Sequence, residues 1–348
     1  MASLAIVGAG ASGLAAAWAL RDTSLSVTVF EKSRGYSGRA ATRRRNGTRY
    51  DHGANYIKPT SERITTLLTE HLPTDELEDI GRAIWTFDAD GTVSPGDRET
   101  NQEPKWTYRS GIHTLGKHLA AAADATVHLQ TRIAALEVED TVWTLADTDG
   151  ERHGPFDAVL LTPPAPQTAA LLRASTMPDA LQDTLVDGVD AASYTSQFAF
   201  ILSYDTPIPR PDGVYALLNT DRQHPIAWLS FEDDKPGHVP KGESLLIAQM
   251  APDWTTARME DPPDALVDEV VPEVANVLDA DLGAPAWFDT QRWRYALPTK
   301  AADADALAAG APYGLFFAGD ALVGRGRVGR ALETGLDAAD AIRRTLRE

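Results

Sequence analysis

The first 31 residues constrain this chain most, because they lay out almost a complete dinucleotide-binding unit. Leu4–Val7 is a short apolar run of strand type. It passes directly into Gly8-Ala9-Gly10-Ala11-Ser12-Gly13, and then into an Ala/Leu-rich stretch that reads as a helix through Leu20. A second strand, Leu25–Phe30, ends at Glu31. Gly8 permits the tight turn, Gly10 lets the backbone approach a pyrophosphate, and Gly13 lets helix and strand pack closely. Ala11 and Ser12 open the helix, whose N-terminal N–H groups and positive dipole end attract phosphate. Glu31 can accept hydrogen bonds from both hydroxyls of an adenosine ribose. The glycine triplet alone would be a weak signal. Strand, triplet, helix, strand and acid in this order point to a bound dinucleotide.

The chain has 348 residues, room for two domains of ordinary size. No apolar run approaches the ~20 residues of a membrane span. The N-terminal segment is a fold strand rather than a signal peptide, so a soluble, cytoplasmic protein is expected. Cysteine is absent, which excludes disulfides, thiolate catalysis, iron–sulfur clusters and a cysteinyl cofactor link. The eight histidines lack ligand spacing, and no protein-bound metal is expected. The net charge is −18, with 50 acids against 32 bases. Such a surface repels nucleic acid and anionic membranes, so neither is expected as a partner. Only seven of the bases are lysine. This Asp-rich, Lys-poor balance suits a high-salt habitat, where counter-ions screen self-repulsion.

After Glu31 come Lys32-Ser33-Arg34-Gly35-Tyr36-Ser37-Gly38-Arg39 and Arg43-Arg44-Arg45. A glycine-rich basic loop here suits the phosphates of a long cofactor; the alternative is a solvated arginine surface. Ile64–His71 and Gly111–Ala123 read as helices. Thr126–Leu129, Ile133–Val138, Val142–Ala146 and Ala158–Leu161 read as strands, with a turn at 147–150, suggesting a small meander that returns to a parallel sheet. Tyr194–Tyr204, Val214–Leu218, Ala227–Phe231 and Leu245–Ala251 then read as an antiparallel sheet, followed by a helix, Ala265–Leu278. The last segment is a strand, Tyr313–Ala318, ending in Gly319-Asp320, then a loop, Ala321–Arg327, and a helix from near Gly329 to Leu346. The expected class is α/β: residues 1–60, 106–165 and 286–348 form a cofactor-binding domain, and 61–105 with 166–285 an inserted α+β substrate domain.

Together these blocks resemble the two-dinucleotide-binding-domain flavoproteins, the superfamily of amine oxidases and aromatic hydroxylases. The residues that carry the likeness are the N-terminal triplet with Glu31, Gly38-Arg39, Asp51-x-Gly53-Ala54 and Phe317-Ala318-Gly319-Asp320. Within that group the chain is most similar to the renalases. The blocks are Ser37–Thr42, Gly53–Ile57, Ser110–Ile112, Phe156-Asp157, Leu161-Thr162-x-Pro164, Ser193–Ser196, Gln291–Arg294 and Gly329. Ser37 stands where the family pattern usually has glycine. The resemblance implies noncovalent FAD. Gly8, Gly10 and Gly13 would take its pyrophosphate, Glu31 the ribose, Arg39 the phosphates and the backbone near Ile133 the adenine. Asp320, after Gly319, would take the ribityl chain, and the Val328-Gly329-Arg330 backbone would face the N1/C2=O edge of the flavin. Lys32, Gly38, Ala54 and Asn55 complete the expected cofactor contacts.

Renalases oxidise 2- and 6-dihydro isomers of NAD(P), and the resemblance implies that reaction. A hydride goes to flavin N5, and dioxygen reoxidises the flavin to give hydrogen peroxide. Such a donor needs position and electrostatics more than an acid or base. Arg294, Arg325, Arg327 and Arg330 could meet the phosphates of a dinucleotide substrate, or else form ordinary ion pairs. The rival readings are an amine oxidase, a carotenoid-type desaturase and a non-catalytic FAD protein. An amine oxidase would place a lysine near N5. No lysine lies in the strands around 194–231, and Lys300 is a weak substitute. Asn55, Tyr56, Trp228, Trp293, Tyr295 and Arg327 are the expected substrate-side residues. Asp51 is expected to hold backbone N–H groups of its own loop, and His52 to be structural.

Overall fold

A computed structural model of the chain describes residues 2–346. β1 (Ser3–Val7), α1 (Ala11–Ala19) and β2 (Ser26–Glu31) form the predicted unit. Both faces of β1 are covered, with Leu4, Ala5 and Ile6 fully buried, which is why it reads as a continuous apolar run. Five parallel strands stand in the order Leu315–Phe317, Ala158–Leu161, β1, β2, Thr126–Leu129. The C-terminal helix, Val328–Leu346, lies against α1. Contact is close: a Cβ on Gly335 would stand 2.1 Å from the carbonyl oxygen of Ser12. The meander Ile133–Glu139, Val142–Asp147 and Arg152–Phe156 returns the chain to this sheet as expected.

The second body is a seven-stranded sheet. Its order is Trp287–Lys300, Ser193–Tyr204, Ser244–Met250, Ile226–Phe231, Val214–Asn219, Ala83–Phe87, Val93–Ser94. One face carries Phe198, Phe200 and Leu202 and is covered by the helix Pro263–Leu278 through Leu266, Val270, Val274 and Val277. The other face carries Ile201, Ile247, Tyr215 and Trp228 and turns toward Tyr50 and Tyr56 of the first body. The candidate site lies under this second face.

Two elements differ from the sequence reading. Arg43-Arg44-Arg45 belongs to a hairpin, β3 (Thr42–Arg45) with β4 (Thr48–Asp51), rather than to a phosphate-spanning loop. Alternation sends Arg43 and Arg45 to one side. Arg43 donates to the carbonyl of Thr290 and pairs with Asp289, and Arg45 donates to the carbonyl of Phe288. Arg39 does the same at the carbonyls of Tyr295 and Ala296. These arginines cap the open edge of strand 287–300, where a further strand would otherwise pair. That strand, grouped with the cofactor-binding part from sequence, pairs with 193–204 of the large sheet. The segment 61–105 contributes strand 83–87, parallel to 214–219. No described helix is long and apolar enough to cross a membrane.

The tight helix contact can be tested with Gly335→Ala. Overpacking against backbone is expected to cost about 1–3 kcal/mol, read as a lower denaturant midpoint at unchanged slope.

Candidate active site

The crevice for a dinucleotide forms at the C-terminal ends of the parallel strands. α1 begins with neither a side-chain cap nor an acid in its first turn, so its N–H groups remain available to an anion. Gly8 has φ +105°, and a Cβ there would stand 2.4 Å from Thr162 Oγ1. A Cβ on Gly13 would stand 2.1 Å from the carbonyl oxygen of Gly8. At Gly10 it would meet nothing within 4 Å, which marks the open side of the cradle. Glu31 is buried, and its carboxylate accepts the N–H groups of Ala9 and Ser33, each at 2.8 Å. It braces the turn and keeps lone pairs for a ribose. Ser37 takes φ +81°, the conformation that favours glycine. Its Oγ accepts the Gly116 N–H at 3.1 Å, and a side chain at Gly116 would collide with it.

Most of the other residues expected at the cofactor lie around this crevice. Arg39 pairs with Asp320 at 2.7 Å, which joins the residue expected at the phosphates to the one expected at the ribityl chain. The Ala54 N–H donates to the Arg39 carbonyl, and a Cβ on Gly38 would stand 3.4 Å from the Gly10 Cα. Gly319 has φ +126° and donates its N–H to Thr334 Oγ1. The helix starting at Val328 has no acid in its first turn, and Gly329 packs against the Lys58 carbonyl. Ile133 is buried at the start of its strand. Two side chains turn elsewhere: Lys32 donates to Gln167, and Arg330 pairs with Glu333. The open cradle at Gly10, the uncapped helix and the Arg39–Asp320 pair fit an FAD-sized dinucleotide.

Above the crevice, loop 52–56 meets the second face of the large sheet. Tyr56, Tyr215 and Trp228 form a box with ring centroids 6.3–6.4 Å apart. The Tyr215 hydroxyl donates to the Asn55 carbonyl, Asn55 Nδ2 donates to the Asp51 carbonyl, and Gln249 Nε2 donates to the Gly53 carbonyl. Trp228 Nε1 and His52 Nδ1 are buried without a protein partner. Trp293 stacks on His52 at 5.5 Å and donates to its carbonyl. Tyr295 packs instead against Tyr194, whose hydroxyl donates to Asp320. Burial raises the Tyr56 pKa, and the Arg327 guanidinium opposes that shift more than Glu103 assists it. Arg327 itself is exposed and donates to the Gly326 carbonyl, and Glu103 is paired with Lys58. Arg294 pairs with the exposed Glu260 at 3.7 Å.

Beneath the loop lies a group that sequence reasoning missed. Asp51, Glu232, Lys235 and His238 have no exposed side-chain surface. Lys235 Nζ stands 2.8 Å from Asp51 and 2.6 Å from Glu232. His238 Nδ1 lies 2.8 Å from Glu232, and its Nε2 lies 3.0 Å from the Tyr108 carbonyl. Both ring nitrogens face acceptors, so both carry protons and the ring is a cation. Burial opposes that charge, but Glu232, with Asp51 beyond it, outweighs burial and raises the His238 pKa. Two anions and two cations then balance. Asp51 does not hold its own loop as expected: it accepts from Thr42, the Ile112 N–H and Lys235. Burial would raise its pKa, but Lys235, His238 and Thr42 hold it low. Asp51, Glu232 and His238 could geometrically surround a cation, but the Lys235 ammonium already stands between the carboxylates. Asp147, Glu151 and His153 also lie close together, but both Asp147 oxygens are engaged, one by His153 and one by backbone N–H groups of its own turn. Lys235 and Gln249 had visible signals: a Glu-Asp-Asp-Lys run straight after a strand, and a lone amide in an apolar strand.

Three measurements check this geometry. Lys235→Met strands a buried negative charge and is expected to cost roughly 3–5 kcal/mol in chemical denaturation. Glu31→Gln removes the charge from its hydrogen bonds, and FAD affinity is expected to fall about tenfold or more. His52, driven mainly by burial, has its pKa lowered to about 4. Its folded state therefore binds fewer protons than the unfolded chain below about 6.5. Stability should fall as pH drops from that value toward 4, and His52→Gln should flatten that slope.

Two family models match the chain. Residues 6–71 match an NAD(P)-binding Rossmann-like domain, and residues 92–343 match the flavin containing amine oxidoreductases. Protoporphyrinogen oxidase 2 of Arabidopsis thaliana is 40% identical over 67 residues, 19% of this chain and 13% of that protein. The flavin-containing amine oxidase B of Cavia porcellus is 42% identical over 81 residues, 23% of this chain and 16% of that protein. The likeness thus spans less than a fifth of either curated relative. Among solved structures, a candidate protoporphyrinogen oxidase from Exiguobacterium sp. 255-15 superposes with TM-score 0.78 at 16% identity, covering 100% of this chain and 99% of its own. Putrescine oxidase bound to putrescine superposes with TM-score 0.75 at 16% identity, covering 98% of both chains. At such identity these likenesses show the fold. The family model extends over well more than half of the sequence, and the chain belongs to the flavin containing amine oxidoreductases, whose cofactor is FAD.

Proposed function

We propose that the protein is an FAD-dependent oxidase of an isomeric dihydronicotinamide, a 2- or 6-dihydro form of NAD(P), with dioxygen as acceptor. The observation that carries this reading is the character of the box: three rings and a buried amide, with the lysine beside them held in ion pairs. Lys235 is the buried lysine beside it, and its ammonium is locked between two carboxylates. It cannot serve as the lysine that an amine oxidase places near the flavin. Arg327, whose charge bears on Tyr56, would repel a protonated amine and attract an anionic dinucleotide.

Bound FAD supplies a two-electron acceptor at N5, which dioxygen reoxidises with release of hydrogen peroxide. The protein's part is placement. Tyr56 and Trp228 would line the donor's side of the site, Asn55 and Trp293 would hold the loop against the cofactor ring, and Arg327 would take a phosphate. The oxidised nicotinamide gains a positive charge as the hydride leaves, and no proton has to be removed from carbon. Neutral His52 and the high-pKa tyrosines suit such a site. Gly8, Gly10, Ala11, Ser12, Gly13, Glu31, Arg39, Asp320 and the Val328–Arg330 backbone are proposed to hold the cofactor. The FAD-binding body is proposed to comprise 1–60, 106–165 and 286–348, with strand 287–300 shared with the substrate-side sheet.

Amine oxidation is the second reading, favoured by the family and by the aromatic pair Tyr56–Trp228. Anaerobic mixing with 6-dihydro-NAD, 2-dihydro-NADP and benzylamine separates the two. Bleaching of the flavin by a dihydronicotinamide, with peroxide on readmission of air, is expected; bleaching by benzylamine alone would overturn the proposal. Arg327→Ala should raise the KM for the dinucleotide about tenfold and leave that for the phosphate-free dihydronicotinamide riboside unchanged. The acidic, lysine-poor surface is proposed to be an adaptation to salt. The thermal midpoint should then rise with KCl well beyond 0.1 M, where the Debye length is already about 10 Å.

A further inference from the structure

Asp51 is the last residue of β4 and directly precedes the loop that meets the aromatic box. Three elements hold its carboxylate. Thr42 donates from the partner strand at 2.6 Å, Ile112 donates its N–H from the parallel-sheet body at 2.9 Å, and Lys235 reaches it from the turn after strand 226–231. Lys235 has a second hold on the same loop. Its ammonium lies 5.9 Å from the centre of the Tyr215 ring, and the Tyr215 hydroxyl bonds the carbonyl of Asn55. One cation thus fixes the beginning of the loop through Asp51 and its middle through Tyr215. Neither Lys235 nor Asp51 has exposed side-chain surface, so they can act on a bound molecule only through what they hold in place. The remaining charged pair, Glu232 with His238, stays balanced without them.

We propose that Lys235 and Asp51 are positioning residues: their buried ion pair sets the placement of Asn55 and Tyr56 against the flavin ring. This rests on the proposed location of those two residues beside the ring. Removing the pair should leave the dinucleotide end intact, because Glu31, Arg39 and Asp320 are untouched. It should relax the loop, and a shift of about 1 Å in a reacting geometry can cost on the order of 100-fold in rate.

The test is the charge-balanced double variant Asp51→Asn/Lys235→Met, prepared as the FAD-loaded protein beside Tyr215→Phe. Asparagine still accepts from Ile112, and methionine fills the stem of the lysine, so no net charge is left buried. FAD affinity is expected to stay close to that of the unaltered protein, whereas the visible circular dichroism of the bound flavin should change in both variants. In anaerobic stopped flow with 6-dihydro-NAD, the limiting reduction rate should fall by about 10- to 100-fold in the double variant and less in Tyr215→Phe, with the donor Kd changing little. A folded double variant with unaltered flavin dichroism and unaltered limiting rate would overturn the proposal. If the double variant does not fold, Tyr215→Phe decides: unaltered flavin dichroism there would overturn it equally. The dichroism needs no donor. A protein whose flavin is reduced only by benzylamine would therefore refute the proposed substrate while this comparison still judges the positioning role.

Discussion

Four charged side chains without water access, Asp51, Glu232, Lys235 and His238, join the two bodies of this protein. Burying ions costs several kcal/mol each, and only close pairing with good hydrogen bonds offsets it. Here each anion meets at least one cation within 2.8 Å, and the remaining donors and acceptors find Thr42, Ile112 and Tyr108. An apolar interface could slide, but these charges are paired in one arrangement. That arrangement places the loop carrying Asn55 and Tyr56 under the sheet face carrying Tyr215, Trp228 and Gln249. An apolar packing of the same volume could be equally stable, so the role proposed for this cluster is registry.

The arginine fringe complements this seam from outside. Arg39, Arg43 and Arg45 satisfy carbonyls along strand 287–300, an edge fourteen residues long. A guanidinium presents several donors in a rigid plane and stays charged, which suits capping of successive carbonyls. In a chain of net charge −18, arginines grouped at one seam also gather acidic partners such as Asp289 and Asp320. The dinucleotide crevice and the aromatic box therefore share structural members. Arg39 touches both the Asp320 end of the crevice and the strand that carries Trp293 and Tyr295.

Local chemistry was legible in the sequence wherever one residue type has one use. The Gly8–Gly13 turn, Glu31, the parallel core strands and the Gly319-Asp320 turn all follow from steric or hydrogen-bond demands inside a short segment. Ser37 was readable as a departure from glycine, and its positive φ gives the reason for the usual residue. The arginine run was misread because its partners lie about 245 residues away, and nothing local distinguishes a capped edge from a phosphate loop. Lys235 escaped notice for a related reason. A lysine beside a flavin is expected on a strand, whereas Lys235 occupies the turn after one, and a distant aspartate joins Glu232 in pairing its buried ammonium. Aromatic residues carried partial information: Tyr56 and Trp228 do converge, but which of Trp293 and Tyr295 would join them depended on a register visible only in three dimensions.

The charge balance at the seam also governs the functional reading, because the lysine beside the box, 5.9 Å from the Tyr215 ring, is held as an ammonium between two carboxylates. That balance requires a doubly protonated His238. Nitrogen-15 NMR of selectively histidine-labelled protein observes this state directly. One ring should keep both nitrogens protonated above pH 6.5, assigned by its loss in His238→Gln. A His238 ring that is neutral at pH 7 would contradict it.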